Sequence, residues 1–297
     1  MLEHLGTEQR NPASAEIDLL PVEEVLRIMN EEDKKVAPAV EGEIPRIARA
    51  VEAIVEAFRR GGRLFYIGAG TSGRLGVLDA SECPPTFDAP PDMVQAVMAG
   101  GEAALDRATE AGEDRAEDGE ADLRRRGFGC QDALVGLSAS GRTPYVLGAV
   151  RYARSLGAAT IAVSCNAEAE ICRLVDFPIT PEVGPEIIAG STRLKAGTAQ
   201  KMVLNMLSTG AMIRLGCVYR NLMVNLHLKN QKLMDRGRRI VGQAAGCSPE
   251  RAAEALAEAG NNVRAAIVML KLGVSAERAQ ELLRAAGNRV AAALQSA

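Results

Sequence analysis

Between residue 63 and about residue 180, short apolar runs alternate with helix-forming stretches, and this alternation limits the fold more than any other feature of the chain. The runs at 64–67, 94–98, 133–137, 160–163 and 175–179 read as strands. Helices are predicted at 73–81, 113–126 and 144–155, with a long one over 195–215. Strands and helices in alternation mean parallel strands joined by crossover helices. The predicted class is therefore α/β, a doubly wound, mostly parallel sheet. Ligands of such sheets bind outside the carboxyl ends of the strands, and the two loops of this sequence richest in glycine and hydroxyl side chains fall at that edge.

The flanking segments read differently. Residues through Asp18 are polar and irregular, and helical patterns follow at 22–32 and 33–60. In the second, Val36, Val40, Ile44, Ile47, Val51, Ile54, Val55 and Phe58 recur at mostly three- and four-residue steps, giving one apolar face for the core or a second subunit. Pro38 and Pro45 should bend or divide it. After Gly242 the composition turns to Ala, Glu, Arg and Leu, and a repeat appears. The stretch from Ser248 through Val263 returns 27 residues later from Ser275 through Val290. Each copy reads as a helix with a serine N-cap, closed by Gly-Asn and followed by a new helical start, which predicts a small all-helical bundle. The predicted domains are 1–60, 61–242 and 243–297.

A net charge of -3 leaves no positive field to hold nucleic acid or an anionic membrane, so any anionic ligand must be held locally. The chain has no long apolar run, and its first ten residues lack a basic segment followed by an apolar one, so a cytoplasmic protein is expected. The six cysteines form no C-x-x-C pair. His4 and His227 are the only histidines, so no familiar zinc or iron spacing can be written. His227 lies in an apolar stretch without an obvious local nucleophile. Carboxylates, hydroxyls and lysines are left to do the chemistry.

Three segments offer them. Gly68-Ala69-Gly70-Thr71-Ser72-Gly73-Arg74 follows a strand and opens a helix, so its amides and the Thr71 and Ser72 hydroxyls can converge on an anion. Its glycines fit a dinucleotide-binding spacing, but the next strand ends in Ala99-Gly100-Gly101 with no acid for a ribose. A tight turn without a ligand would explain the glycines equally well. The second segment, Leu137-Ser138-Ala139-Ser140-Gly141-Arg142-Thr143-Pro144, presents three hydroxyls and starts a helix with Thr143 as N-cap and Pro144 at its first position. Two such turns in one sheet suggest a phosphorylated polyol. The third, 184–198, carries Ser191, Arg193 and Lys195 before the long helix. Cations at a helix start suit an anionic ligand or an acidic neighbour. For proton transfer the candidates are Glu82, beside Cys83-Pro84-Pro85 where the double proline should stop the helix, and Glu113.

Three runs resemble the N-acetylmuramic acid 6-phosphate etherase family: Thr7-Glu8-Gln9-Arg10-Asn11-Pro12, the stretch from Gly68 through Phe87, and Ser140-Gly141-Arg142-Thr143-Pro144-Tyr145. The likeness extends over nearly the whole chain. It implies a sheet of the sugar-isomerase type, a small UBA-like helical domain at 243–297, a homodimer, and a sugar phosphate as the only partner, with no cofactor. The reaction it implies is cleavage of the lactyl ether of N-acetylmuramic acid 6-phosphate to N-acetylglucosamine 6-phosphate and D-lactate. By motif matching, Glu82 and Glu113 correspond to the family's two acid/base carboxylates, with Glu110 and Glu117 as less favoured substitutes for the second. Gly70, Thr71, Ser72, Ser138, Ser140, Thr143, Ser191, Arg193 and Lys195 are the expected substrate contacts. The same fold and loops also resemble the animal regulatory protein of glucokinase, a sensor without turnover. An aldose-ketose isomerase would need the same carbon 2 proton abstraction.

Overall fold

Residues 6–107, 112–226, 228 and 230–296 are described by a computed structural model. The chain divides into two compact units, Met1–Ser81 with Pro91–Ser208 and Glu82–Pro90 with Thr209–Ala297.

The first unit begins with helices α1 (Val22–Asp33), α2 (Val36–Glu41) and α3 (Ile44–Arg59). The predicted 33–60 pattern is thus divided in front of Pro45, and α3 buries Ile47, Ala50, Val51, Ile54, Val55 and Ala57 on one face. Then follow β1 (Leu64–Gly68), α4 (Gly70–Phe87), β2 (Val94–Met98), α5 (Ala116–Arg125), β3 (Ala133–Leu137), α6 (Pro144–Ser155), β4 (Ala159–Val163), α7 (Glu170–Leu174), β5 (Phe177–Ile179) and α8 (Lys195–Arg214), with α4 from Glu82 and α8 from Thr209 counted in the second unit. All five strands pair in parallel in the order β2-β1-β3-β4-β5. Every residue of β1 and β3 is buried. Continuous apolar runs such as Leu64-Phe65-Tyr66-Ile67 suit strands covered on both faces. On one face Phe65, Ile67 and Leu134 pack with Leu123 of α5 and Val146 and Val150 of α6.

Two boundaries depart from the sequence reading. The helix expected at 73–81 starts at Gly70 and runs through Pro84 and Pro85 to Phe87, so the double proline does not end it. The two prolines remove only the amides that would reach the carbonyls of Ala80 and Ser81. The helix then closes with the Asp88 amide donating to Pro84 O at 2.9 Å. The helix expected from residue 113 starts at Ala116 instead, because Glu113 is held in a turn whose carbonyl accepts from the Tyr145 amide at 3.0 Å.

In the second unit a hairpin of β6 (Val218–Tyr219) and β7 (Leu222–Met223) precedes α9 (Gln231–Ala245), α10 (Pro249–Glu258), α11 (Val263–Leu272), α12 (Ala276–Ala285) and α13 (Val290–Gln295). The sequence repeat is a structural one. Ser248 and Ser275 each cap a helix by accepting an amide three residues on, and Asn261 and Asn288 both take the left-handed conformation that separates the paired helices.

Helices α5 and α6 touch through backbone. A Cβ on Gly119 would lie 2.0 Å from Tyr145 O, and one on Gly148 would lie 1.9 Å from Ala116 O. Gly148→Ala is therefore expected to force the helices apart and destabilise the protein by about 2 kcal/mol or more, measured as a lower urea midpoint. An unchanged midpoint would refute backbone contact at this crossing.

Candidate active site

The strand order fixes where a ligand can sit. The chain passes from β1 outward to β2 and then to β3 on the other side of β1, so the crevice of the sheet opens beyond the carboxyl ends of β1 and β3. The two hydroxyl-rich turns are the connections that leave these two strands.

In the first turn the glycines answer to sterics. A Cβ on Gly68 would lie 2.8 Å from Gly73 N, one on Gly73 would lie 2.8 Å from Gly68 O, and Gly70 has a φ of 52°. The helix thereby begins directly on the end of the strand, with its first amides at the sheet edge. Thr71 and Ser72 are half-buried there. Ser72 Oγ donates to Gln200 Oε1 of α8 at 2.9 Å. Gly197, one turn earlier in α8, lies beside Thr71, whose Cγ2 would be in ordinary contact with an added Cβ at 3.6 Å.

In the second turn Ser138 is buried, with Ser140 and Thr143 half-buried beside it. Ser138 Oγ lies 2.9 Å from Thr143 Oγ1 and 3.4 Å from Ser140 Oγ, and it accepts the Gly141 amide at 3.0 Å. Thr143 occupies the N-cap position ahead of Pro144 as expected, but its side chain caps no amide. The three hydroxyls face one another, which leaves the first amides of α6 without a side-chain cap from Thr143.

Glu113 ties the two turns together. Its carbonyl takes the Tyr145 amide at the start of α6, and its Oε1 would lie 3.4 Å from a Cβ on Gly70. A carboxylate is thus held over the glycine of the first turn. The loop leading toward it is anchored by Arg74, which donates to the carbonyls of Ala104, Leu105 and Arg107 at 2.9, 3.0 and 3.2 Å. Of the substitutes for Glu113, Glu110 lies outside the described residues. Glu117 is exposed at the first turn of α5, where its own amide and Arg115 hold its carboxyl below the usual range. Glu82 is exposed on α4, in the second unit.

The third segment is divided between two roles. Ser191 is half-buried in a turn, and Arg193 is exposed with no ion pair among the described residues. Lys195 is different: only 2% exposed, its Nζ lies 2.6 Å from Glu32 Oε2 of α1. Asn11 of the N-terminal arm donates to the same oxygen at 2.9 Å and to Pro185 O at 3.0 Å, and Glu186 accepts the Lys195 and Ala196 amides. Of the two explanations open for a cation at this helix start, an acidic neighbour accounts for Lys195. Burial pushes the Glu32 carboxyl up, but hydrogen bonds from Lys195, Lys35 and Asn11 outweigh it and bring it down to about 2. Sequence reasoning missed Gln200 and Glu32 because their partners lie 128 and 163 residues away along the chain, and it missed Glu186, whose amide partners are nine and ten residues on, because a loop carboxylate gives no local sign of the amides it will meet.

Because the folded value for Glu32 is depressed, its contribution to stability is present above about pH 4.5 and is lost as pH falls toward 2. Lys195→Met is expected to cost about 3 kcal/mol or more by stranding a buried carboxylate. Glu32→Gln should flatten the acid limb of an unfolding-midpoint profile between those pH values. A Lys195→Met protein as stable as the parent would show that the pair holds nothing.

Residues 46–154 match the family described as the glucokinase regulatory protein N-terminal SIS domain. A putative phosphosugar isomerase from Bacteroides fragilis shares the fold at 20% identity and a TM-score of 0.51, covering 68% of this chain and 97% of that one. A phosphoheptose isomerase from Francisella tularensis does so at 18% and 0.50, covering 64% and 97%. Sequence relatives are much nearer. An N-acetylmuramic acid 6-phosphate etherase from Photorhabdus laumondii is 55% identical over 91% of this chain and 89% of its own length. One from Symbiobacterium thermophilum is 58% identical over the same shares, and one from Clostridium beijerinckii is 52% identical over 91% and 88%. At this identity, sustained over nine-tenths of its length, the chain belongs to the N-acetylmuramic acid 6-phosphate etherase family.

Proposed function

We propose that the protein is a carbon-oxygen lyase that cleaves the D-lactyl ether of N-acetylmuramic acid 6-phosphate, releasing D-lactate and N-acetylglucosamine 6-phosphate in the recycling of cell-wall amino sugar. The observation that carries the reading is the Glu113 carboxylate held over the Gly70 turn, in a chain of this family. The Thr71, Ser72, Ser138, Ser140 and Thr143 hydroxyls and the first amides of α4 hold the phosphate, with Ser191 and Arg193 as further contacts. Lys195 acts on the substrate only by fixing the start of α8.

The chemistry needs two carboxyl groups. With the sugar ring open, the aldehyde acidifies the hydrogen on carbon 2. Glu113 takes that proton, the electron pair forms the double bond between carbons 2 and 3, and the bond from carbon 3 to the ether oxygen breaks. Glu82 delivers a proton to the departing lactate oxygen. Glu113 releases its proton to solvent and then acts as the base: it takes a proton from water as the water oxygen bonds to carbon 3, carbon 2 receives a proton from solvent, and both carboxyl groups return to their starting states by exchange with solvent. Among the described residues no helix is long and apolar enough to cross a membrane. A phosphorylated sugar is retained inside the cell, so the reaction belongs in the cytoplasm.

The match of residues 46–154 to a regulatory-protein domain favours one rival, a sensor that binds sugar phosphate without turnover. Glu82→Gln and Glu113→Gln should each lower lactate release by about a hundredfold or more while sugar phosphate still binds. Near-normal release by either variant removes that residue from the mechanism, and binding by the parent chain without any release favours the sensor. Ketose product in place of lactate would identify an isomerase.

The enzyme works as a homodimer in this reading. Leu19, Val22 and Leu26 are 75, 74 and 56% exposed along and just before α1, an apolar stripe on a helix that buries only Glu32 of its own residues. Light scattering should give twice the chain mass, and Leu26→Glu should shift the protein toward monomer. A monomeric parent chain would contradict the dimer.

A further inference from the structure

Gln200 stands in the second turn of α8 and is 1% exposed. Its Oε1 accepts the Ser72 hydroxyl at 2.9 Å, while its Nε2 is buried with no hydrogen-bond partner among the described residues. Buried amide nitrogens are rarely left so. The arrangement also sets Ser72 against an anion: with its proton directed at Gln200, the hydroxyl shows only lone pairs to the half-open side of the turn.

One rotation of the Gln200 amide about its last bond changes both. Amide oxygen and nitrogen are close to the same size and exchange places without moving the backbone. Nε2 then donates to Ser72 Oγ across the same contact, and the hydroxyl proton is free to point into the turn, where the α4 amides already favour negative charge. In the orientation seen Nε2 has no partner among the described residues, so the amide is held by hydrogen bonding through its oxygen alone.

We propose that Gln200 is a positioning residue that aims the Ser72 hydroxyl, its amide turning nitrogen toward Ser72 when a phosphate group occupies the turn. The inference rests on the phosphate-binding role proposed above for this turn. It assigns to α8 a part in recognising phosphate without touching it. Gln200→Glu replaces the reversible amide by an acceptor that keeps the Ser72 proton, whereas Gln200→Met removes both polar atoms and leaves Ser72 free to rotate.

The test is calorimetric binding of inorganic phosphate to the full-length protein, followed by KM and kcat for lactate release. Gln200→Glu is expected to weaken phosphate binding and raise KM by about tenfold or more with kcat changed less than about threefold, and Gln200→Met to weaken binding by only about threefold. In a Ser72→Ala background both changes should add little, because the group they act through is gone. Equal losses for Gln200→Glu and Gln200→Met would mark a packing role and overturn the proposal, as would a Gln200→Glu loss undiminished by Ser72→Ala. Absence of phosphate binding by the parent chain would overturn it outright. Should Gln200→Glu fail to fold, Gln200→Met and Ser72→Ala with their double variant decide: a double loss equal to that of Ser72→Ala supports the proposal, and multiplied losses overturn it. Phosphate binding with the expected pattern but no lactate release would sink the lyase reading and leave Gln200 its role. Lactate release with phosphate affinity untouched by Gln200→Glu would do the reverse.

Discussion

The close approach of Gly68 and Gly73 governs the carboxyl edge of the sheet. With a side chain on either, α4 could not start on the end of β1, because a Cβ would come within 2.8 Å of the other's backbone. Once started there, the helix is held by polar contacts through the first unit. Asp79 accepts from Tyr66 of β1 at 2.8 Å and from Asn205 and Ser208 of α8 at 2.7 and 3.1 Å. The strand below, the helix that begins the turn and the helix that supplies Gln200 are thus joined at one buried carboxylate. Gly70 follows with a positive φ and leaves room for the Glu113 carboxylate.

The parallel order of the sheet gives this turn its meaning. An identical turn at an outer strand would be an anion site and little else. Between β1 and β3, where the order of connection reverses, the turn faces the Ser138 cluster, and Glu113 bridges them by carbonyl and carboxylate. The proposed phosphate contacts and the proposed base therefore lie on connections that leave neighbouring strands.

Much of this was legible in the sequence. The alternation of apolar runs and helical stretches read out the five strands to within a residue or two, because parallel strands buried on both faces leave a continuous apolar trace such as Ala133 to Leu137. The repeat after Ser248 was equally plain, since serine caps and Gly-Asn turns are local devices. Local reading went astray where distant parts of the chain intervene. Pro84 and Pro85 continue a helix that a local rule would end, and Thr143 turns its hydroxyl to Ser138 when position alone would make it a cap. Lys195, read as a candidate for an anion, meets Glu32 from 163 residues away. Gln200 gave no signal at all, because a glutamine inside an apolar helix acquires a role only through the serine it faces.

The most direct test of the reaction follows the oxygen of water. N-acetylmuramic acid 6-phosphate incubated with the protein in water labelled with oxygen-18 should give N-acetylglucosamine 6-phosphate carrying one labelled oxygen on carbon 3, and D-lactate without label. Label in the lactate would mean that the ether breaks on its lactyl side, and elimination followed by hydration would be contradicted.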